Sequence, residues 1–312
     1  MRILAATDGS RIAEAAVRFA AWLASRFPRG TLEIVLIGDA AAALVTGARL
    51  SSRTRRTMEE EYRRWARRAL ALAARDASRF GARPETRYVE AQHVEPIART
   101  LDREARRRRA DLLVVGSRGT GAVGRALLGS VARRLVHVSS RPVIVVPAPA
   151  RAPRASALSI LAATDGSRVS NGAVRFAADL ARQAREGELE VVTVGTLRRD
   201  LTLGFSGAVL SLVPIRELRA SERLATERIL RAAVHAVRGS GIRPALHALE
   251  PRTRRPVADV LAGFARRRDA HLLVVGREGR STLDELALGS VTRRLLSVSR
   301  RPVLVVGPPR RG

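Results

Sequence analysis

Cysteine is absent from the 312-residue chain, which excludes disulfides, thiolate catalysis and cysteine-ligated metals. Lysine is absent as well, so all 57 basic residues are arginine. A Walker A loop needs Gly-Lys-Ser/Thr, and Schiff-base or amine-nucleophile chemistry needs the lysine nitrogen; both are closed to this chain. Aromatic residues make up only 3%, few for the stacking platforms that hold single-stranded nucleic acid. No apolar run approaches the ~18 residues of a membrane span. The chain passes directly into RILAATDGS (2–10) without an apolar signal region. A soluble, cytoplasmic protein with no membrane partner is expected.

What is present in excess is positive charge, a formal +28. A field of this size attracts anions, but its distribution favours solvated helix faces. Arg63, Arg64, Arg67 and Arg68 follow Glu59–Glu61 at helical pairing distance. Arg106–Arg109 stand at a predicted helix end, where cations suit the dipole. Nucleic acid is therefore not the expected partner, and an Arg-rich nucleic-acid-associated protein is kept as an alternative.

The strongest pattern is internal. Residues 111–131 (DLLVVGSRGTGAVGRALLGSV) and 271–291 (HLLVVGREGRSTLDELALGSV) each carry a buried-type apolar run ending in Gly116 or Gly276. Gly119 or Gly279 follows, then nine residues, then Gly129-Ser130 or Gly289-Ser290. The nine residues differ almost throughout while the glycines and spacing recur. ILAATDGS also occurs twice, at 3–10 and 160–167. The offset between copies is 157 residues at this motif and 160 at the glycine loop.

Each copy reads as alternating apolar strands and amphipathic helices. In the first, strands are expected at 2–7, 32–38, 83–90, 111–116 and 141–146. Helices are expected from Ser10 to about Phe27, over 54–80, over 94–109 with Pro96 in the first turn, and from Ser130 to Ser139. Pro- and Ala-rich residues 147–157 carry no period and read as a connection. This gives domains at 1–147 and 158–312 with a linker at 148–157. Strand–helix alternation argues a parallel sheet covered on both faces.

In such a sheet a ligand sits beyond the carboxyl ends of the strands, at the switch point. Asp8 and Gly116 both fall at strand ends. Glycines let backbone N–H groups approach phosphate, and a helix opening at Gly129-Ser130 offers free N–H groups and a favourable dipole. Asp8 would repel phosphate but accept from ribose hydroxyls. The ensemble reads as a nucleotide site. Gly119-Thr120-Gly121-Ala122-Val123-Gly124 fits G-x-G-x-x-G, but the second copy breaks the match and no acidic residue lies about 20 positions on, so it is not taken as a dinucleotide site. His93, His137, His235, His247 and His271 show no metal-ligand spacing and do not recur between copies. No repeated nucleophile–base pair appears either, so there is no positive case for an enzyme; a slow ATPase or phosphotransferase is the alternative.

The G-x-x-G, nine residues, G-[S/T] pattern, the Asp-Gly-Ser after the first strand and the closing R-P-V-[I/L]-V-V resemble the universal stress protein family, twice over nearly the whole chain. The resemblance implies two tandem Rossmann-like (adenine nucleotide alpha hydrolase-like) α/β domains, each a five-stranded parallel sheet of order 3-2-1-4-5 with about four helices. It implies an ATP-binding, nucleotide-responsive regulator of stress survival without strong catalysis, and Mg2+ accompanying the nucleotide. Nucleotide-binding positions would be Thr7, Asp8, Gly116, Arg118, Gly119, Gly129, Ser130 and Val131. Their counterparts are Thr164, Asp165, Gly276, Gly279, Gly289, Ser290 and Val291. No catalytic or protein-held metal residues are implied. The two domains would pair through the fifth strands, Val143–Val146 and Val303–Val306, and a homodimer is compatible with the family. Arg118 and Arg125 in the first loop favour phosphate. Glu278, Asp284 and Glu285 in the second oppose it, with Arg277 and Arg280 in partial offset. The first site is therefore expected to bind more tightly.

Overall fold

Six apolar-rich residues, Arg2–Thr7, form the central strand β1 of the first unit, buried along most of its length. The computed structural model describes residues 1–38, 51–91, 96–119, 128–148, 150, 152–195, 215–250, 255–278 and 288–308. The chain divides into two units, Met1–Ser156 and Ala157–Gly312.

In the first unit β1 is followed by α1 (Arg11–Ser25), β2 (Thr31–Gly38), α2 (Ser52–Ser78) and β3 (Glu85–Glu90), then α3 (Ile97–Arg107), β4 (Leu112–Gly116), α4 (Ser130–Val138) and β5 (Val143–Val146). The second unit repeats the sequence of elements: β6 (Leu158–Ala163), α5 (Arg168–Gln183), β7 (Gly187–Val194), α6 (Ile215–Ala236) and β8 (Ala245–Leu249), then α7 (Val257–Arg267), β9 (Leu272–Gly276), α8 (Ser290–Val298) and β10 (Val303–Val306). Strand order is β3-β2-β1-β4-β5 in the first and β8-β7-β6-β9-β10 in the second. Every pairing within each unit is parallel. The expected 3-2-1-4-5 order and the tandem Rossmann-like fold are thus observed in both.

The physical reasons are local. β4 reads LLVVG and β9 reads LLVVG, apolar at successive positions because both sheet faces are covered. β3 sits at the outer end of its sheet and is largely exposed. Ser10 caps α1, its hydroxyl accepting from Ala13 N at 3.2 Å, and Ser167 caps α5 from Ser170 N in the same way. Pro96 and Pro256 stand one residue outside α3 and α7 as N-caps, not in the first turn. A proline there has extended ψ, loses no helical N–H, and its carbonyl accepts the first bonds of the helix, from Arg99 N at 2.8 Å and Asp259 N at 2.9 Å. The connection after β5 is held at its far end. Trp22 Nε1 donates to Ala155 O at 3.2 Å, and Arg26 donates to Ser156 O at 2.6 Å.

Equivalent positions keep their work while changing residue. Asp111 Oδ2 accepts from Arg2 N at 2.7 Å, and His271 Nδ1 accepts from Ser159 N at 3.1 Å. Arg87 pairs with Glu33 on neighbouring strands, and at the equivalent place His247 Nε2 lies 2.6 Å from Glu190 Oε2. These two histidines are structural. His93 lies outside the described residues.

Candidate functional site

β1 and β4 are direct neighbours, with Ile3, Leu4 and Ala5 opposite Leu112, Leu113 and Val114. Their carboxyl ends therefore open into one crevice, as expected for Asp8 and Gly116. Asp8 is fixed by its own turn, where its Oδ1 accepts from Ser10 N at 3.0 Å. Thr7 Oγ1 accepts from Gly9 N at 3.1 Å. Gly9 has φ +73°, a conformation glycine adopts without strain.

The glycine loop is anchored at both ends. Ser117 N donates to Val146 O and Gly129 N donates to Ser117 O, each at 2.8 Å. A Cβ on Gly119 would collide with Asp8 Oδ2. A side chain at this position would therefore displace the Asp8 carboxylate. Gly129 caps α4, and among the described residues no side chain bonds to its first turn. The first turn of a helix has N–H groups without intrahelical partners, and Gly129, Ser130 and Val131 line the crevice.

All eight first-copy residues named from the sequence line one cavity of about 680 Å3, within the usual range for a small-molecule site. Thr7, Asp8, Gly116, Arg118, Gly119, Gly129, Ser130 and Val131 form its polar end. The opposite wall is apolar, built from Leu36 and Ile37 of β2, Ile97 and Leu101 of α3, and Tyr62 and Trp65 of α2. The two aromatic rings stand 5.3 Å apart. Tyr62 and Trp65 did not emerge from comparing the repeats, because the second copy does not keep them.

The second unit has the same frame. Arg277 N donates to Val306 O at 2.8 Å and Gly289 N to Arg277 O at 2.9 Å. Gly289 caps α8, and a Cβ on Gly276 would press on Ser170 backbone. Thr164 Oγ1 accepts from Gly166 N at 3.0 Å, as Thr7 does from Gly9. Gly276, Gly289, Ser290 and Val291 thus take the places of their first-copy counterparts. Gly279 lies outside the described residues, as do Arg125, Arg280, Asp284 and Glu285.

The lining differs. Asp165 Oδ1 accepts from Ser167 N at 3.0 Å and also from Ser170 Oγ at 2.7 Å. Ser170 replaces Ala13, so a hydroxyl donor to this carboxylate is already present in the protein. Thr193, buried, replaces Leu36 in the strand register. Glu222, 5% exposed, replaces Tyr62. A Cβ on Gly38 would strike Tyr62 Oη, and one on Gly195 would strike Glu222 Oε1. Ala225 then falls where Trp65 stands. Arg277 and Glu278 replace Ser117 and Arg118 and pair with each other at 3.3 Å. Among the described residues no cluster of three or more His, Asp or Glu side chains could hold a metal. Nor is any described helix long and apolar enough to cross a membrane.

The sequence profile described as the universal stress protein family matches residues 1–147 and 158–307. A universal stress protein of Mycolicibacterium smegmatis is 33% identical over 215 residues, covering 69% of this chain and 67% of the relative. One from Mycobacterium tuberculosis is 34% identical over 206 residues, covering 63% and 61%; the chain thus spans about three fifths of that relative's length. The crystal structure of a universal stress protein from Archaeoglobus fulgidus superposes with a TM-score of 0.60 at 16% identity, covering 99% of this chain and 98% of that one. Two family matches over nearly the whole length, and one shared architecture, lead to a single conclusion: the chain belongs to the universal stress protein family.

Proposed function

We propose that this protein is an ATP-binding regulator of stress survival, responsive to nucleotide and without strong catalytic activity. One observation carries the reading: the 680 Å3 cavity joins the glycine loop, Asp8 and the start of α4 at one end to an aromatic and aliphatic wall at the other. In this reading the adenine lies against Trp65, Tyr62 and Ile37. The ribose hydroxyls donate to the Asp8 carboxylate. The phosphates accept from backbone N–H groups of the loop and of Ser130 and Val131, from the Ser130 hydroxyl, and from Arg118.

Mg2+ fits this arrangement as an ion held by the nucleotide. Magnesium commonly binds substrate phosphates and waters with few protein carboxylates, and among the described residues lining the cavity Asp8 is the one carboxylate. Its chemistry there would be neutralisation of phosphate charge. The second site, with Asp165, Gly276, Gly279, Gly289, Ser290 and Val291, is read as the weaker one. Two domains at 1–147 and 158–312 pairing through β5 and β10 complete the reading, with a cytoplasmic location. All four residues of each end strand are apolar, so neither strand carries the charges that discourage edge pairing.

The test is calorimetric titration of the full chain with ATP and magnesium, beside Asp8→Ala. Loss of a hydrogen bond to a charged group costs about 1.5–3 kcal/mol, roughly 10- to 150-fold in affinity. Phosphate release that follows the protein through purification and disappears in Asp8→Ala with Asp165→Ala would make the protein an enzyme instead.

A further inference from the structure

The outer face of α2 carries an apolar stripe. Met58, Trp65 and Leu72 recur every seven residues and are 42%, 42% and 64% exposed. Seven residues is close to two helical turns, so the three project from one side and span about 21 Å. The helix's packing is carried elsewhere, by Ala66, Leu70, Ala73 and Ala77, all buried. Met58 and Leu72 are therefore not required to hold α2 in place, and Trp65, whose other side borders the cavity described above, is open on this side as well.

Beside the stripe lies a recess of about 580 Å3 between α1 and α2, lined by Trp65, Leu72, Arg68, Arg75 and Arg79 among others. Its acidic side chains are already engaged. Arg18 reaches Glu14 at 3.8 Å and Asp76 at 3.1 Å, and Arg79 reaches Asp76 at 3.5 Å. Arg68 and Arg75 make no ion pair among the described residues. An apolar floor is thus bordered by arginines whose charge is not neutralised within the unit. The second unit has a smaller recess at the same place, of about 370 Å3, but not its lining: at the 160-residue offset, Trp65, Leu72 and Arg75 become Ala225, Ala232 and His235. The feature is not a requirement of the shared fold.

We infer that this groove docks an acidic amphipathic helix of a partner protein. Such a helix would place apolar side chains, spaced by two turns, against Trp65 and Leu72, and carboxylates against Arg68 and Arg75. Tryptophan and arginine are the residues that dominate protein interfaces energetically, and helix-in-groove recognition uses this spacing. A nucleic-acid backbone brings charge but no apolar side chain to fill the recess. A membrane surface cannot enter the recess that Trp65 and Leu72 border.

The probe is a synthetic helix of about five turns, with leucines at heptad spacing and glutamates elsewhere. The control has the same composition in scrambled order. Binding to the full chain is followed by calorimetry and by tryptophan emission. Trp22 is 2% exposed, so a blue shift reports Trp65. The periodic peptide is expected to bind at least about tenfold more tightly than the scrambled one. Leu72→Asp, or Arg68→Glu with Arg75→Glu, should weaken it by a similar factor while the melting temperature holds. Equal binding of both peptides, no effect of these variants, or a response to duplex DNA or phosphatidylserine vesicles in place of the peptide would overturn the proposal.

Discussion

Tyr62 and Glu222 occupy one position in two copies of the same fold, each lying against the glycine that closes the second strand, Gly38 or Gly195. In the first unit that position offers an aromatic face to the cavity. In the second it offers a carboxylate, 5% exposed. Together with Ser170 on Asp165 and Glu278 for Arg118, this is why the proposed function reads the second site as the weaker one.

The two sites should therefore differ in affinity by at least about fivefold, since one wrong-sign charge nearby costs on the order of 1 kcal/mol or more. Titration of Asp165→Ala should retain the tight event, and Asp8→Ala should lose it. Equal loss in the two variants would contradict the asymmetry.

Trp65 should contribute directly to nucleotide affinity. Stacking of a base on an aromatic ring is worth about 1–3 kcal/mol, so Trp65→Ala should weaken ATP by roughly 5- to 150-fold. ATP added to the unaltered protein should also change Trp65 emission. An unchanged affinity in Trp65→Ala would remove the aromatic wall from the site.

Gly119→Ala should act through Asp8. The new methyl would meet Asp8 Oδ2, so the carboxylate must shift or the loop must lift. Weakened ATP binding is expected with little change in melting temperature, because Gly119 lies in the loop and not among the buried core residues. Full affinity in Gly119→Ala would show that the loop tolerates a side chain there.

A pH dependence is built into the second unit. Arg294 donates two hydrogen bonds to Asp259, at 3.0 and 2.7 Å, joining α7 to α8. The Arg294 guanidinium holds the Asp259 carboxyl below its ordinary value. A lowered folded value means the stabilisation is present at neutral pH and is lost as pH falls through it, below about 4. The melting temperature of Asp259→Asn should be lower than wild type at neutral pH, with the gap closing in acid. The first unit has Arg99 and Arg134 at these offsets and no such pair. A gap that persists unchanged in acid would refute the assignment.

Pairing through the fifth strands can be tested cleanly because the chain has no cysteine. Cysteine pairs placed one in Val143–Val146 and one in Val303–Val306 should form an intramolecular disulfide on oxidation. Failure across all combinations would set the pairing aside. Particle mass in solution reports any homodimer.

Much of this was legible in the sequence because the chain carries its own control. Where both copies keep a residue, as with Asp8 and Asp165 or Gly129 and Gly289, the backbone frame demands it, and comparison alone locates it. The polar end of the cavity follows from that comparison, whereas the strand order follows from the family resemblance. The same comparison conceals what one copy has lost. Tyr62 and Trp65 sit three residues apart in a chain with 3% aromatics, yet they align with Glu222 and Ala225 and so register as variable. The position of Pro96 relative to α3 was not legible, because a proline at the N-cap and one in the first turn look alike in sequence and differ in ψ.

The most direct measurement is the nucleotide content of the protein as purified, released by denaturation and separated by ion exchange. The account predicts ATP at about one per chain, lost in Asp8→Ala and kept in Asp165→Ala. Absence of nucleotide, with no uptake on adding ATP and magnesium, would contradict it.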